Sequence, residues 1–300
     1  MGIFQGKNKS VETEVENVLS EKLGKPVEIQ HSGTLGGGCI NNASKIETNA
    51  GIFFLKWNAG GPAERFLRES ESLSELRKAA SGELAVPEVY AAKRMDETLG
   101  FLVLEYLEPG SFAGNSDEIL GRGLAAIHQF RNEKFGFDHN NYCGSTPQEN
   151  SWEEDWPVFF RDNRLGYLLD MIKKKSPFSV SAMKVFDQLL EIIPELLPGS
   201  SEPVLIHGDL WGGNYMVCTK GPALIDPASY YADREMEMGI MTMFGGFSSR
   251  FYAAYNEVNP LPDDWKERNP LYQLYHVLNH YYLFGGGYGN QALSIARHYT

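Results

Sequence analysis

The stretch Val204–Asn214, VLIHGDLWGGN, decides how this chain is read, together with ALID at Ala223–Asp226. Three apolar residues, Val204 to Ile206, predict a short buried strand that delivers His207, Gly208 and Asp209 to a turn facing a cleft. Asn214 follows at a fixed offset. A β-prone run, Tyr215 to Cys218, and a Gly-Pro turn lead to the apolar step Ala223 to Ile225, which ends in a second carboxylate, Asp226. The pattern is H-x-D-x-x-x-x-N followed by a strand-end Asp. It suits phosphoryl transfer to a hydroxyl: one carboxylate accepts the hydroxyl proton, while an amide oxygen and a second carboxylate hold Mg²⁺, a hard ion that takes oxygen ligands. On this reading Asp209 is the base, and Asn214 and Asp226 are the metal ligands. Asp and Asn also cap ordinary turns, and H-x-D alone would be read that way. The Asn at this offset and the closing Asp226 favour the catalytic reading.

The chain has 300 residues, 42% of them hydrophobic, enough for one large or two medium domains with a well-buried core. Its net charge of −12, from 39 acidic against 27 basic side chains, argues against a broad phosphate-backbone footprint, so nucleic acid is not expected as a partner. No apolar run approaches the ~20 residues of a bilayer span, so no membrane partner is expected either. The start, MGIFQGKNKS, lacks an apolar signal core, and Gly6 stands where a myristoylation pattern needs Ser or Thr. A cytoplasmic protein is expected. Cys39, Cys143 and Cys218 are odd in number with no C-x-x-C spacing, which indicates neither a zinc site nor a disulfide framework.

Working outward from the central stretch, Val11, Val15, Val18, Leu19 and Leu23 predict an amphipathic opening helix from Ser10. A strand over Val27 to Gly33 then runs into GTLGGGCIN, where Gly36, Gly37 and Gly38 could lay backbone N–H groups over phosphates or simply make a wide hairpin. Cys39, directly after them, is a candidate for reversible oxidation. After a strand over Asn42 to Thr48 comes IFFLKWN, which places Lys56 one step past an apolar run, where a phosphate-pairing ammonium would sit. A helix follows over Pro62 to Ala80. Of its acids Glu64, Glu69 and Glu71, Glu69 lies on or beside the apolar stripe of Phe66, Leu73 and Leu76 and is the expected partner of Lys56. Strands over Val86 to Ala92 and Phe101 to Tyr106 end in Pro109-Gly110, a lobe boundary, and the backbone of Glu105, Tyr106 and Leu107 could hold an adenine ring.

Beyond that boundary a core helix is expected over Ser116 to Phe130, then a long polar loop from Phe135, and helices over Trp152 to Lys174 and Val180 to Leu197. Asp233, Arg234, Glu235 and Glu237 open another helix and could tie it to the catalytic turn. His276 and His280 share one helical face. That spacing fits a zinc pair, but Val277 replaces the Glu of H-E-x-x-H and no third ligand is evident, so a structural or pocket-wall role is expected.

With these residues in place, the chain resembles the fructosamine kinase (ketosamine 3-kinase) family from about Ser10 to its end. The resemblance is carried by LGGGCIN at Leu35–Asn41, the Lys56 strand, GFLVLEYL at Gly100–Leu107, FGFDHNNYCGSTPQENSW at Phe135–Trp152, HGDLWGGN at His207–Asn214, IDPASYYADRE at Ile225–Glu235 and LYHVLNHYYLFGGGY at Leu274–Tyr288. It implies an α+β, two-lobed protein-kinase-like fold: a small antiparallel-sheet lobe with one key helix over 1–107, and a larger, mostly helical lobe over 108–300. It also implies ATP- and Mg²⁺-dependent phosphorylation of the sugar 3-hydroxyl of ketosamines, free or on protein, as a deglycation step. Asp209 would activate the hydroxyl, Asn214 and Asp226 would bind Mg²⁺, and Lys56 with Glu69 would orient phosphates. Gly36 to Gly38 and Glu105 to Leu107 would hold nucleotide, and Trp211 and His280 would face the sugar. The alternatives are a kinase for aminoglycosides or choline, and a nucleotide-binding pseudokinase that serves as an interaction module.

Overall fold

The computed structural model describes residues 2–35, 42–80, 82, 84–111 and 114–300. Strand alternation organises its first third. The strands β1 (Ile29–Leu35), β2 (Asn42–Thr48), β3 (Gly51–Asn58), β4 (Val89–Arg94) and β5 (Gly100–Glu105) form one antiparallel sheet in the order β1-β2-β3-β5-β4. Successive side chains of a strand point to opposite faces. Phe53, Leu55 and Trp57 of β3 and Phe101 and Val103 of β5 therefore share one face, which packs under Val11, Val15 and Leu19 of the opening helix α1 (Gly2–Leu23). The opposite face carries Leu102 and Leu104 and meets Phe66, Leu73 and Leu76 of α2 (Arg65–Ala79). Lys56 lies in the second register of β3, which turns its ammonium toward α2. Helix α1 begins at Gly2, earlier than expected, while its packing residues start at Val11. Gly36, Gly37, Gly38 and Cys39 lie outside the described residues, and with them the expected phosphate loop.

The remainder is mostly helical: α3 (Ser116–Ile127), α4 (Trp156–Phe159), α5 (Tyr167–Lys175), α6 (Val180–Leu196), α7 (Glu235–Met241), α8 (Ser249–Val258), α9 (Trp265–Phe284) and α10 (Tyr288–Tyr299). Among them sit short strand pairs, β6 (Asn141–Cys143) with β7 (Thr146–Gln148), β8 (Val204–Ile206) with β11 (Tyr230–Ala232), and β9 (Tyr215–Cys218) with β10 (Gly221–Leu224). Among the described residues, no helix is long and apolar enough to cross a membrane. The core beneath α2 runs on without a break through Leu124 of α3, Phe159, Phe186, Ile206 and Tyr272.

Two expectations are corrected here. The polar segment from Phe135 is not simply a loop, because β6 and β7 form a hairpin inside it whose amides are buried and satisfied. Asn141 donates to the Ser229 carbonyl at 2.8 Å, and the Tyr275 hydroxyl donates to Gln148 Oε1 at 2.8 Å. The helix expected from Trp152 starts at Trp156, where Asp155 accepts from the Val158 N–H at 2.9 Å, and a π-helical stretch at Phe160–Gly166 interrupts it. Arg164, inside that stretch, is fully buried, with its guanidinium 3.8 Å from the Tyr230 ring centroid and donating to Asn150 Oδ1 at 2.7 Å.

Candidate active site

Strand β8 is buried on both sides and pairs with β11, so the chain leaving Ile206 has one direction to take. Gly208 turns it with φ +82°, and a Cβ there would lie 2.2 Å from the Ala228 carbonyl oxygen. The turn is held from beneath by Glu237 of α7, fully buried, whose carboxylate accepts the N–H of His207 and, at 3.1 Å, that of Gly208. His207 has a defined tautomer. Its Nδ1 accepts the Asp209 N–H at 3.3 Å, so Nε2 carries the hydrogen and donates to the Ile225 carbonyl at 2.9 Å. Burial lowers its pKa, which keeps the ring neutral. Asp209 then projects half-buried at the end of this brace, with Asn214 Nδ2 donating to its Oδ2 at 3.0 Å and to its carbonyl at 2.8 Å. Burial pushes the Asp209 carboxyl up to about 8 against that hydrogen bond, and the charges of Glu237 and Asp226 add to the push.

The hairpin of β9 and β10 carries the chain back, and the Ile225 N–H bonds the Asn214 carbonyl at 3.1 Å, setting Asp226 beside Asn214. Asp226 has φ +54°, the one positive φ at a non-glycine position among the described residues. Such strain persists where surrounding contacts over-determine it. Here the carbonyl of the preceding residue is held by His207, and the Asp226 carboxylate meets Lys56 Nζ at 2.9 Å. Lys56, 7% exposed, also donates to both oxygens of Glu69 at 3.0 and 3.1 Å. Burial pulls the lysine pKa down, but Glu69 and Asp226 outweigh it and hold the ammonium charged. Glu64 and Glu71 instead bracket Arg68.

Trp211 stands 41% exposed after Asp209, with Gly213 beneath it: a Cβ on Gly213 would lie 2.3 Å from the indole. Its ring meets Phe244 edge-on at 5.9 Å, and Phe244 lies 5.3 Å from His280. His280 Nδ1 donates to the His276 carbonyl at 2.7 Å and its ring lies 5.8 Å from Phe284. Trp211 and His280 thus belong to one aromatic wall, joined by Phe244. At the other side of the constellation, the Glu105 N–H is already spent on the Glu88 carbonyl at 2.8 Å, and its carboxylate receives Lys220. An adenine-holding role for Glu105 therefore cannot use that N–H. Leu107 packs against Cys218 and Ala223 under the β9–β10 hairpin.

A family model for fructosamine kinase matches residues 11–299. This chain belongs to the fructosamine kinase family. It is 38% identical over 288 residues to a chloroplastic protein-ribulosamine 3-kinase of Arabidopsis thaliana, covering 95% of this chain and 86% of the relative. A probable ketoamine kinase of Synechocystis is 35% identical over 281 residues, 93% of each chain. A crystal structure from Haemophilus somnus 129PT, assigned provisionally as a fructosamine-3-kinase, superposes with a TM-score of 0.83 at 28% identity over 95% of this chain and 96% of its own. An aminoglycoside phosphotransferase in ternary complex with AMP-PNP and hygromycin B shares the kinase-like fold, with a TM-score of 0.63, 16% identity and coverage of 94% and 98%.

For a fructosamine kinase family member, the donor set suits a hard divalent cation. Asn214 turns its NH₂ toward the two Asp209 acceptors, which fixes the amide orientation and leaves Oδ1 for another partner, and the Asp226 carboxylate is 47% exposed. Phe244 and Phe284 are the residues that sequence reasoning missed. Their signal is a large aromatic directly before Gly-Gly, at Phe244–Gly246 and again at Phe284–Gly286.

Proposed function

We propose that this protein is an ATP- and Mg²⁺-dependent kinase that phosphorylates the 3-hydroxyl of ketosamines, acting in the cytoplasm. Membership of the fructosamine kinase family supports the reaction, as do the names of its ribulosamine and ketoamine kinase relatives. The observation that carries it is the single line of contacts from Glu69 through Lys56 to Asp226, and from Asp226 beside Asn214 to Asp209. Nucleotide would lie between residues 1–107 and 108–300, with Lys56 pairing its phosphates, Gly36 to Gly38 over them, and the Tyr106–Leu107 segment beside the adenine. Asn214 Oδ1 and Asp226 would hold Mg²⁺, which neutralises charge on the transferring phosphate. Asp209 accepts the proton of the sugar hydroxyl. Glu237 and His207 keep that carboxylate aimed. Trp211, Phe244 and His280 offer an aromatic face to the sugar ring.

Incubation with Mg²⁺-ATP and a fructosyl or ribulosyl amine should add one phosphate, placed on the 3-hydroxyl by mass-spectrometric fragmentation. An aminoglycoside should stay largely unmodified, because a narrow aromatic wall fits one sugar better than a polycationic oligosaccharide. Phosphate on an aminoglycoside or choline with the ketosamine untouched would overturn the substrate assignment. Nucleotide binding without transfer to any acceptor would mark an interaction module.

A further inference from the structure

Directly beneath the proposed base lies a cluster that this mechanism does not use. Cys143 Sγ, His276 and an oxygen of Asp209 present ligand atoms that all lie within 4.8 Å of one another. Cys143 is 3% exposed and His276 1% exposed, and His276 Nε2 is fully buried with no hydrogen-bond partner among the described residues. A buried imidazole nitrogen left without a partner is costly, and an incoming ligand would satisfy it. Burial pushes His276 down to about 3, so the ring is neutral and has a lone pair to offer a metal. Asn279 Nδ2 donates to Cys143 Sγ at 3.3 Å and is itself fixed by the Thr146 hydroxyl, so the sulfur is oriented from behind as a ligand thiolate would be. The three donors come from β7's partner strand, α9 and the catalytic turn, and only Asp209 is open to the cleft.

From this set we infer a second metal site, a thiolate–imidazole–carboxylate site for Zn²⁺, in which the ion captures the base and stops catalysis. Sulfur and imidazole nitrogen are ligands that a borderline-soft ion prefers and that Mg²⁺ does not, so the site selects against the catalytic ion. At Zn–S about 2.3 Å and Zn–N or Zn–O about 2.0–2.1 Å, tetrahedral ligand atoms stand roughly 3.3–3.6 Å apart, so the cluster must contract by about an ångström. Binding displaces the thiol proton of Cys143, which burial keeps on the sulfur, and also the proton of Asp209 at pH values where that carboxyl is still protonated; His276 is neutral and loses none. The fourth position faces the cleft through which the ion enters. Inhibition rests on the kinase reading above; the metal site itself does not.

The test adds Co²⁺ alone to the metal-free protein as a spectroscopic stand-in for Zn²⁺. The expected result is a near-ultraviolet thiolate-to-cobalt charge-transfer band with tetrahedral bands in the visible, all displaced by Zn²⁺. The charge-transfer band should vanish in Cys143→Ser and persist in Cys39→Ser and Cys218→Ser. In His276→Asn, Zn²⁺ affinity should fall at least about 10-fold, since loss of an outer-shell partner alone costs about 10–100-fold. Zn²⁺ added to saturating Mg²⁺-ATP and ketosamine should suppress transfer in the parent, and His276→Asn should need at least about 10-fold more. No thiolate band in the parent, or a band that survives Cys143→Ser, overturns the site. Should Cys143→Ser not fold, the parent spectrum and His276→Asn decide. A cobalt spectrum without ketosamine phosphorylation leaves the site standing and removes the kinase assignment; phosphorylation without the spectrum does the reverse.

Discussion

Replacing Glu237 by Gln probes the brace under the turn that carries the proposed base, Asp209, without touching substrate. The Glu237 carboxylate is fully buried and accepts the N–H groups of His207 and Gly208. Hydrogen bonds to a charged acceptor are worth about 1.5–3 kcal/mol each, and a stranded buried donor costs a further 1–3. Gln keeps one acceptor oxygen, so one of the two backbone donors faces an NH₂ group instead, and a loss of about 2–4 kcal/mol is expected. For a chain of this size that corresponds to a fall in Tm of about 3–6 °C by calorimetry. Displacement of the turn moves Asp209 relative to the acceptor hydroxyl, and misplacement by an ångström costs roughly 10²-fold in kcat/KM. Nucleotide affinity should stay within about threefold, because Lys56 and Asp226 are untouched. Glu237→Ala, which strands both donors, should be less stable than Glu237→Gln. A Gln variant with Tm within about 1 °C of the parent and kcat/KM within about threefold would refute the brace.

Asp209→Asn should keep nucleotide affinity and lose about 10²–10⁴-fold in turnover, measured by single-turnover kinetics, and turnover within about threefold of the parent would remove Asp209 as base. In metal-free protein held in chelator, Asp209 titrates at about 8 when folded against 3.8 when exposed, so the unfolded chain loses its proton first. Stability is then fully present below about pH 4 and falls as pH rises toward about 8, and Asp209→Asn should flatten that slope in urea titrations. Lys56→Met strands Glu69 beside Asp226. Breaking a buried pair costs about 3–5 kcal/mol, discounted to about 1–3 because the Asp226 side chain is 47% exposed, and equilibrium unfolding together with a raised KM for ATP checks it. Trp211→Ala should raise KM or lower kcat for the ketosamine while leaving slow ATP hydrolysis intact, and unchanged ketosamine kinetics would take Trp211 out of the sugar site.

What the sequence discloses here follows the reach of its local rules. That Asp209, Asn214 and Asp226 come together is legible because one short hairpin joins them. Lys56 and Glu69 are legible because strand alternation and helical spacing each state which way a side chain points. The π-helical stretch at Phe160–Gly166 is not legible, since FRDNRLG has no residue that distinguishes a wider turn from an ordinary helix. The β6–β7 hairpin hides behind a composition of amides and Pro that reads as a solvated loop, when those amides are spent on Ser229, Ala228 and Tyr275. The bond from the Glu105 N–H to the Glu88 carbonyl, just before β4, is likewise a tertiary pairing that the sequence does not state. The grouping of Cys143 with His276 depends on tertiary approach alone, which no spacing encodes.

The unbroken core beneath α2 bears on how such an enzyme could be governed. Where a helix carrying the lysine's partner rests on a separable lobe, swinging it away disconnects the ion pair and silences the molecule. Here Phe66, Leu73 and Leu76 are sunk in the same apolar mass as Phe159 and Tyr272, and Glu75 further along the helix accepts the Tyr231 hydroxyl at 3.1 Å. Rotating α2 outward would open that mass to water, at about 25 cal/mol for each square ångström exposed. The Lys56–Glu69 pair is accordingly a fixture rather than a toggle. A protein built this way has that pair in place from the moment it folds, so control by displacing α2 is closed to it.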